Sequence, residues 1–146
     1  MEKAKLAVAA AQAQWRGDQA SKRLGMALEE VRPGYARLSL RVTPEMLNGA
    51  DTCHGGVIFT LADSAFGYAC NSHNQLAFAV NCSIDYLAPA RSGDTLTATA
   101  LEQARVGRTG VYDVRVEKQD GALVATFRGK SATVKGHWVD SHGGGG

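Results

Sequence analysis

The sequence predicts an α+β fold in which one curved antiparallel β-sheet wraps around a long central helix. Three observations predict it. The run from Val57 to Cys70 places apolar residues on every side of a 3.6-residue helix, as in helices buried all round. Two segments before this run and about four after it read as strands separated by turn residues. The strands that follow the run are joined by short Gly-bearing turns, the signature of an antiparallel meander and not of parallel crossovers.

Residues 1 to 16 are alanine-rich, with Leu6, Ala9, Ala10 and Ala13 at helical spacing, and predict a terminal helix. A short helical piece follows over Asp18 to Arg23. Leu24 to Val31 and Tyr35 to Val42 flank Arg32-Pro33-Gly34 and form a β-hairpin; the second arm alternates Tyr35, Arg37, Ser39 and Arg41 with Ala36, Leu38, Leu40 and Val42. Thr43-Pro44 opens the connection to the central helix. Behind that helix, Leu76 to Leu87, Thr95 to Ala104, Val111 to Glu117 and Leu123 to Val134 are strands, with turns at Gly93-Asp94, Gly107 to Gly110 and Gln119-Asp120-Gly121. A single domain over residues 1–134 is expected. The tail from Lys135 to Gly146 ends in four glycines and has no periodicity, so it is expected to be flexible.

Composition narrows the function classes. At 146 residues the chain is long enough for one domain with a real core. A formal net charge of +2, without a basic helix or an aromatic-interleaved basic patch, argues against a nucleic-acid partner. The apolar run is too short to cross a membrane, which takes about 20 residues, and Asp63 interrupts it, so no membrane partner is expected. The opening residues lack a secretory cleavage pattern. Three cysteines, Cys53, Cys70 and Cys82, fit reduced thiols in a cytoplasmic protein.

Asp63 is the residue that most needs an explanation, because a carboxylate inside an apolar helix costs several kcal/mol unless paired or hydrogen-bonded. The start of the helix is also unusual. Gly55 and Gly56 let a ligand approach the backbone closely, and the first N–H groups of a helix can receive a developing negative charge. The structural alternatives are a tight turn at Gly55-Gly56 and an Asp63 satisfied by a backbone amide. Cys53-His54 suggests a metal site, but no further ligands stand at zinc-site spacing, so no metal is expected. A Cys53 thiol nucleophile beside His54 is disfavoured because adjacent side chains rarely face each other. Phe59 and Phe66 fall on the Asp63 side of the helix and are candidates for an acyl pocket, with plain core packing as the alternative.

Asn48, His54-Gly55-Gly56, Thr60-Leu61-Ala62-Asp63, the strand Ile84-Asp85-Tyr86-Leu87 running to Pro89, and Gly93-Asp94 together resemble the hotdog-fold acyl-CoA thioesterases. Thr109-Gly110-Val111-Tyr112-Asp113 and Phe127-Arg128-Gly129-Lys130-Ser131 extend the resemblance over roughly residues 15–134, most closely to the bacterial thioesterases of phenylacetic acid degradation. The resemblance implies hydrolysis of phenylacetyl-CoA or a ring-hydroxylated form, with coenzyme A as part of the substrate and no cofactor. It implies that the Gly55 N–H polarises the thioester carbonyl, that Asp63 attacks it or activates water, and that Asn48 and His54 line the site. Gly56 is counted with the substrate-binding residues, as are Arg91 and Arg108, whose loops would meet the coenzyme A phosphates. Some relatives carry a hydroxyl near the catalytic water where this chain has Ala79, which leaves Ser83, Ser64 or Asn48 to hold it. The rival reading is a non-catalytic acyl-CoA-binding or sensing domain, which would need the Gly55 helix end but not Asp63.

Spacing adds a constraint. Gly55 and Asp63 are eight residues apart, so their Cα atoms stand about 12 Å apart on one helix. One helix therefore cannot bring both to the same carbonyl within about 3 Å. An obligate homodimer with antiparallel helices pairs Gly55 of one chain with Asp63 of the other, and would cover the side of each helix that its own sheet leaves bare. The resemblance extends this to a homotetramer, a dimer of dimers.

Overall fold

The computed structural model describes residues 1–140. Helix α1 spans Lys3–Gly17 and α2 spans Gln19–Arg23; strands β1 (Ala27–Arg32) and β2 (Tyr35–Arg41) follow, then helix α3 (Gly55–Cys70). Strands β3 (Ala77–Tyr86), β4 (Thr95–Val106), β5 (Thr109–Lys118) and β6 (Leu123–Thr133) complete the chain. The β1–β2 turn closes through Gly34 at φ +73, a left-handed conformation that glycine adopts without steric cost.

All pairings are antiparallel, in the order β1-β2-β4-β5-β6-β3. β4, β5 and β6 form the expected meander. β3 crosses over to pair with β6 at the far edge.

The curved, wrapping sheet expected from the sequence is not formed. The sheet does not curl round the helix: its end strands β1 and β3 do not pair with each other, and α3 lies against one face. The reason is in the helix itself. Ile58, Leu61, Ala62, Ala65, Phe66 and Ala69 are buried, whereas Gly56, Phe59, Thr60, Asp63, Ser64 and Gly67 recur at helical spacing as an exposed or half-buried stripe. Apart from Phe59, which packs against the edge of the core, these small and polar residues need no sheet over them. The inward side chains of the sheet, among them Leu38, Leu40, Leu96, Ala98, Val114 and Val116, meet only the apolar side of α3. The alternate residues of the same strands, including Arg37, Thr99, Asp113 and Arg128, face outward, which is the usual division in an antiparallel sheet with one wet face.

Helix α1 buries Ala7, Ala10 and Ala11, packing on β1. The Asp18 carboxylate at its end accepts from the Ser21 N–H at 3.1 Å and from the Tyr68 hydroxyl at 2.9 Å, which fastens α2 to α3.

Part of the segment expected to be a flexible tail is held in place. The Gly136 carbonyl accepts from the Leu76 N–H, the Trp138 indole donates to Asn71, and Asn74 bonds Trp138 and Val139. Buried Asn74 explains this, because its side-chain amide bonds only to this segment and would otherwise be left without partners. The remainder of that segment, residues 141–146, lies outside the described residues.

Candidate active site

The loop before α3 is built by Asn48. Its Oδ1 accepts from the Ala50 and Thr52 N–H groups at 2.9 and 3.2 Å, and its Nδ2 donates to Thr52 Oγ1 at 2.9 Å. The amide is thereby used inside the loop. The Met46 carbonyl accepts from the His54 N–H and the Ala90 carbonyl from the Cys53 N–H, which fixes where the helix begins.

His54 is the N-cap. Its Nδ1 accepts from the Gly56 N–H at 2.9 Å, so a neutral ring carries its proton on Nε2. The His54 carbonyl accepts from Val57 and Ile58 at 2.9 and 3.3 Å. Of the four first-turn donors this leaves Gly55, whose N–H makes no hydrogen bond among the described residues. Both glycines have local reasons. A Cβ on Gly56 would stand 3.1 Å from His54 Nδ1, and one on Gly55 would stand 3.2 Å from the Tyr86 ring.

Tyr86 is the neighbour that sequence reasoning missed. It ends β3, is 51% exposed, and donates its hydroxyl to the Gly55 carbonyl at 2.9 Å, so its ring borders the free N–H. An aromatic residue at a strand end carries no local signal of that contact.

Asp63 lies two turns further along the exposed stripe. It is half-buried, and its carboxylate accepts no hydrogen bond and makes no ion pair among the described residues. Burial pushes its pKa above the ordinary aspartate value. Its charge is felt by two thiols: burial first, then Asp63, raises Cys82, and the same two causes push Cys70 up to about 12. Cys53 is buried and its thiol is raised by that burial, which makes it a poor source of thiolate.

The other candidates divide. Phe59 is half-buried, one turn before Asp63, and meets Phe127 edge-on at 5.4 Å. Phe66 is 1% exposed and packs on Tyr112, Phe127 and the backbone at Gly129, so it belongs to the core and borders no open surface. Ser64 is engaged with Ser21 at 2.9 Å, and Ser83 points to the outer face of the sheet beside Asp85 and Thr126. Arg91 follows Ala90, near the start of α3, and its guanidinium makes no hydrogen bond or ion pair among the described residues. Arg108 sits beyond the other end of β4, with Nε and Nη2 donating to the Thr133 carbonyl at 3.1 and 3.0 Å. The 12 residues of β4 run between the two arginines. At about 3.3 Å per residue that is nearly 40 Å of strand, so one chain does not bring them together.

A single chain therefore holds a free amide donor and an unpartnered carboxylate on one face, too far apart for one reacting carbonyl. Cavities of about 510 and 610 Å³ lie elsewhere, one on the outer face of the sheet and one between α1 and the β4–β5 turn.

Residues 50–125 match the model of the thioesterase superfamily. The chain is 46% identical over 126 residues to the acyl-coenzyme A thioesterase PaaI of Escherichia coli, covering 86% of this chain and 90% of that protein. The structure of the PaaI protein from the phenylacetic acid degradation operon of that organism superposes with a TM-score of 0.91 at 43% identity, over 93% of this chain and 99% of that one. A mutant of the phenylacetic acid degradation protein PaaI from Thermus thermophilus gives a TM-score of 0.78 at 35% identity, over 80% of this chain and 100% of that one.

Proposed function

Because the chain belongs to the thioesterase superfamily and is an acyl-CoA thioesterase of the PaaI type, we propose that it hydrolyses phenylacetyl-CoA or a ring-hydroxylated phenylacetyl-CoA in a site shared by two copies. The observation that carries this reading is the pair of unpartnered groups on α3, the Gly55 N–H and the Asp63 carboxylate.

In the shared site Gly55 of one copy faces Asp63 of the other. Asp63 takes a proton from water, and the hydroxide adds to the thioester carbon. The carbonyl oxygen becomes an oxyanion that accepts from the Gly55 N–H. The C–S bond then breaks, and the coenzyme A thiolate recovers the proton from Asp63. Direct attack by Asp63, through an anhydride that water opens, balances equally. The raised Asp63 pKa supports either role, since the desolvated carboxylate is a stronger base than one in water. His54 keeps Gly56 occupied and so leaves Gly55 as the donor, and Asn48 holds the loop that places His54. Phe59 flanks the acyl group.

Two observations support a second copy of this chain as the cover. The α3 stripe is only partly covered within one chain. β3 is an edge strand, paired only with β6, that exposes Phe78, Val80 and Tyr86 and runs on to exposed Leu87; such an edge is ordinarily paired or protected. A two-fold axis beside β3 covers both. The same reading includes a dimer of dimers, with Arg91 and Arg108 meeting coenzyme A phosphates only when contributed by different copies, and a cytoplasmic setting.

The test is thiol release followed with a colorimetric reagent. Phenylacetyl-CoA should exceed acetyl-CoA in kcat/KM, because burying a ring supplies a few kcal/mol more than burying a methyl group. Equal or better turnover of acetyl-CoA would overturn the aromatic assignment.

A further inference from the structure

The cavity between α1 and the β4–β5 turn, about 610 Å³, has Lys3, His73, Arg105 and His137 in its wall, with Leu6 and Pro33 as apolar neighbours. Among the described residues no aspartate or glutamate lines it. Basic side chains thus converge there from α1, the turn after α3, the end of β4 and the segment after β6. The volume is that of an ordinary small-molecule site. None of these residues stands beside Gly55 or Asp63 in the proposed chemistry.

The polar groups of this wall are only half used. His73 Nε2 donates to Glu102 Oε1 at 2.8 Å, and the Tyr112 hydroxyl donates to the same oxygen at 2.8 Å. Glu102 is therefore occupied behind the ring, and His73 Nδ1 makes no hydrogen bond among the described residues. His137 Nδ1 donates to the Asn74 carbonyl at 2.6 Å, which leaves its Nε2 unused in the same way. The Lys3 ammonium and the Arg105 guanidinium make no hydrogen bond or ion pair among the described residues. The carbonyls that end α3 do not oppose a negative charge nearby, because they are capped. The Gly67 carbonyl accepts from the Asn71 N–H and Nδ2, and the Ala69 carbonyl from the Ser72 N–H and hydroxyl.

From this arrangement we infer that the cavity is a second ligand site, which takes the phosphate group of a small molecule. Two permanently charged heads match a phosphate dianion better than a carboxylate, whose single charge would leave one head unpaired. A guanidinium can hold two phosphate oxygens at once and an ammonium a third. Either imidazole can donate from its unused nitrogen once protonated. Leu6 and Pro33 offer apolar surface to whatever body carries the phosphate. The inference goes beyond thioester hydrolysis and does not depend on which acyl group is cleaved.

The experiment is isothermal titration of the full chain at constant ionic strength, which keeps general screening equal across ligands. The ligands are inorganic phosphate, adenosine 5′-monophosphate, adenosine and acetate. The two phosphate-bearing ligands should bind, and adenosine and acetate should not. Arg105→Gln and Lys3→Gln, both at exposed positions, should each weaken phosphate binding about 10-fold, as expected when a charge-assisted bond is lost. Their kcat/KM for phenylacetyl-CoA should stay within about twofold. Tighter binding of the nucleotide than of phosphate would identify the ligand as a phosphate ester, and equal binding would identify it as phosphate alone; both uphold the site. Absence of binding by either at millimolar concentration, or binding unchanged in both variants, would overturn it. A loss of kcat/KM equal to the loss of phosphate binding would give these residues to the substrate's own phosphates and overturn a second site. Because binding is read as heat without turnover, its failure is distinct from failure of the thioesterase reading.

Discussion

On the proposed mechanism Asp63 favours catalysis, while its burial opposes folding when the group is ionised. Its folded-state pKa is raised by burial, so the folded chain binds a proton more readily than the unfolded chain. The stability this proton contributes is fully present below the unfolded pKa and is lost as pH rises through the raised folded value. Asp63→Asn, nearly equal in volume, should therefore be as stable as the unmodified protein or more stable at pH 7–8, with the difference vanishing in acid. Melting curves across pH check this. The same substitution should lower turnover at least about 10²-fold, since the proposed base or nucleophile is lost. Turnover within threefold of the unmodified protein would remove Asp63 from the chemistry. The acid limb of the kcat/KM profile should have its midpoint above about 3.9, the value of an ordinary aspartate, because the active form is the ionised one.

At the level of elements, α3 is held by contacts that leave little freedom. The ring of Phe66 occupies the space a side chain at position 129 would need: a Cβ there would stand 2.7 Å from the ring. Gly129→Ala should destabilise the protein by about 1–3 kcal/mol through overpacking, measured by urea unfolding. The loop after β3 makes a different prediction. Arg91 has a free guanidinium, whereas that of Arg108 is spent on the Thr133 carbonyl. Arg91→Ala should therefore raise KM for coenzyme A esters several-fold with kcat within about twofold. A kcat loss larger than the KM change would take Arg91 off the phosphates. Strand existence and type were legible from alternation and turn residues, and observed boundaries fall within a few residues of the expected ones. Tyr35–Arg41 is an example, where Ala36, Leu38 and Leu40 point inward as the pattern requires.

For the whole molecule, the shared site predicts complementation. Asp63→Asn and Gly55→Pro should each be nearly inactive alone. The proline removes the free donor at a first-turn position that accepts it, although the exposed Tyr86 ring must move aside. Mixed dimers purified after co-expression should regain activity at one of their two sites, because one chain keeps its glycine and the other keeps its acid. Mixed dimers as inactive as both parents, with folding verified by circular dichroism, would rule the shared site out. Sedimentation should find no monomer at assay concentrations.

The sequence by itself determined the elements and the antiparallel class, and it singled out the two groups on α3 to which the proposed chemistry is assigned. These follow from periodicity, turn chemistry and spacing along one helix, all of which are local. It did not determine that the sheet stays open or that Phe66 faces the core. Nor did it bring Tyr86 to Gly55. Those facts are contacts between residues far apart in the chain, decided by which side of α3 the sheet covers. A pattern that is apolar all round cannot specify that side. The tertiary structure does so because Gly56, Thr60, Asp63, Ser64 and Gly67 bury too little apolar surface to compete with the leucine, alanine and phenylalanine side of the same helix.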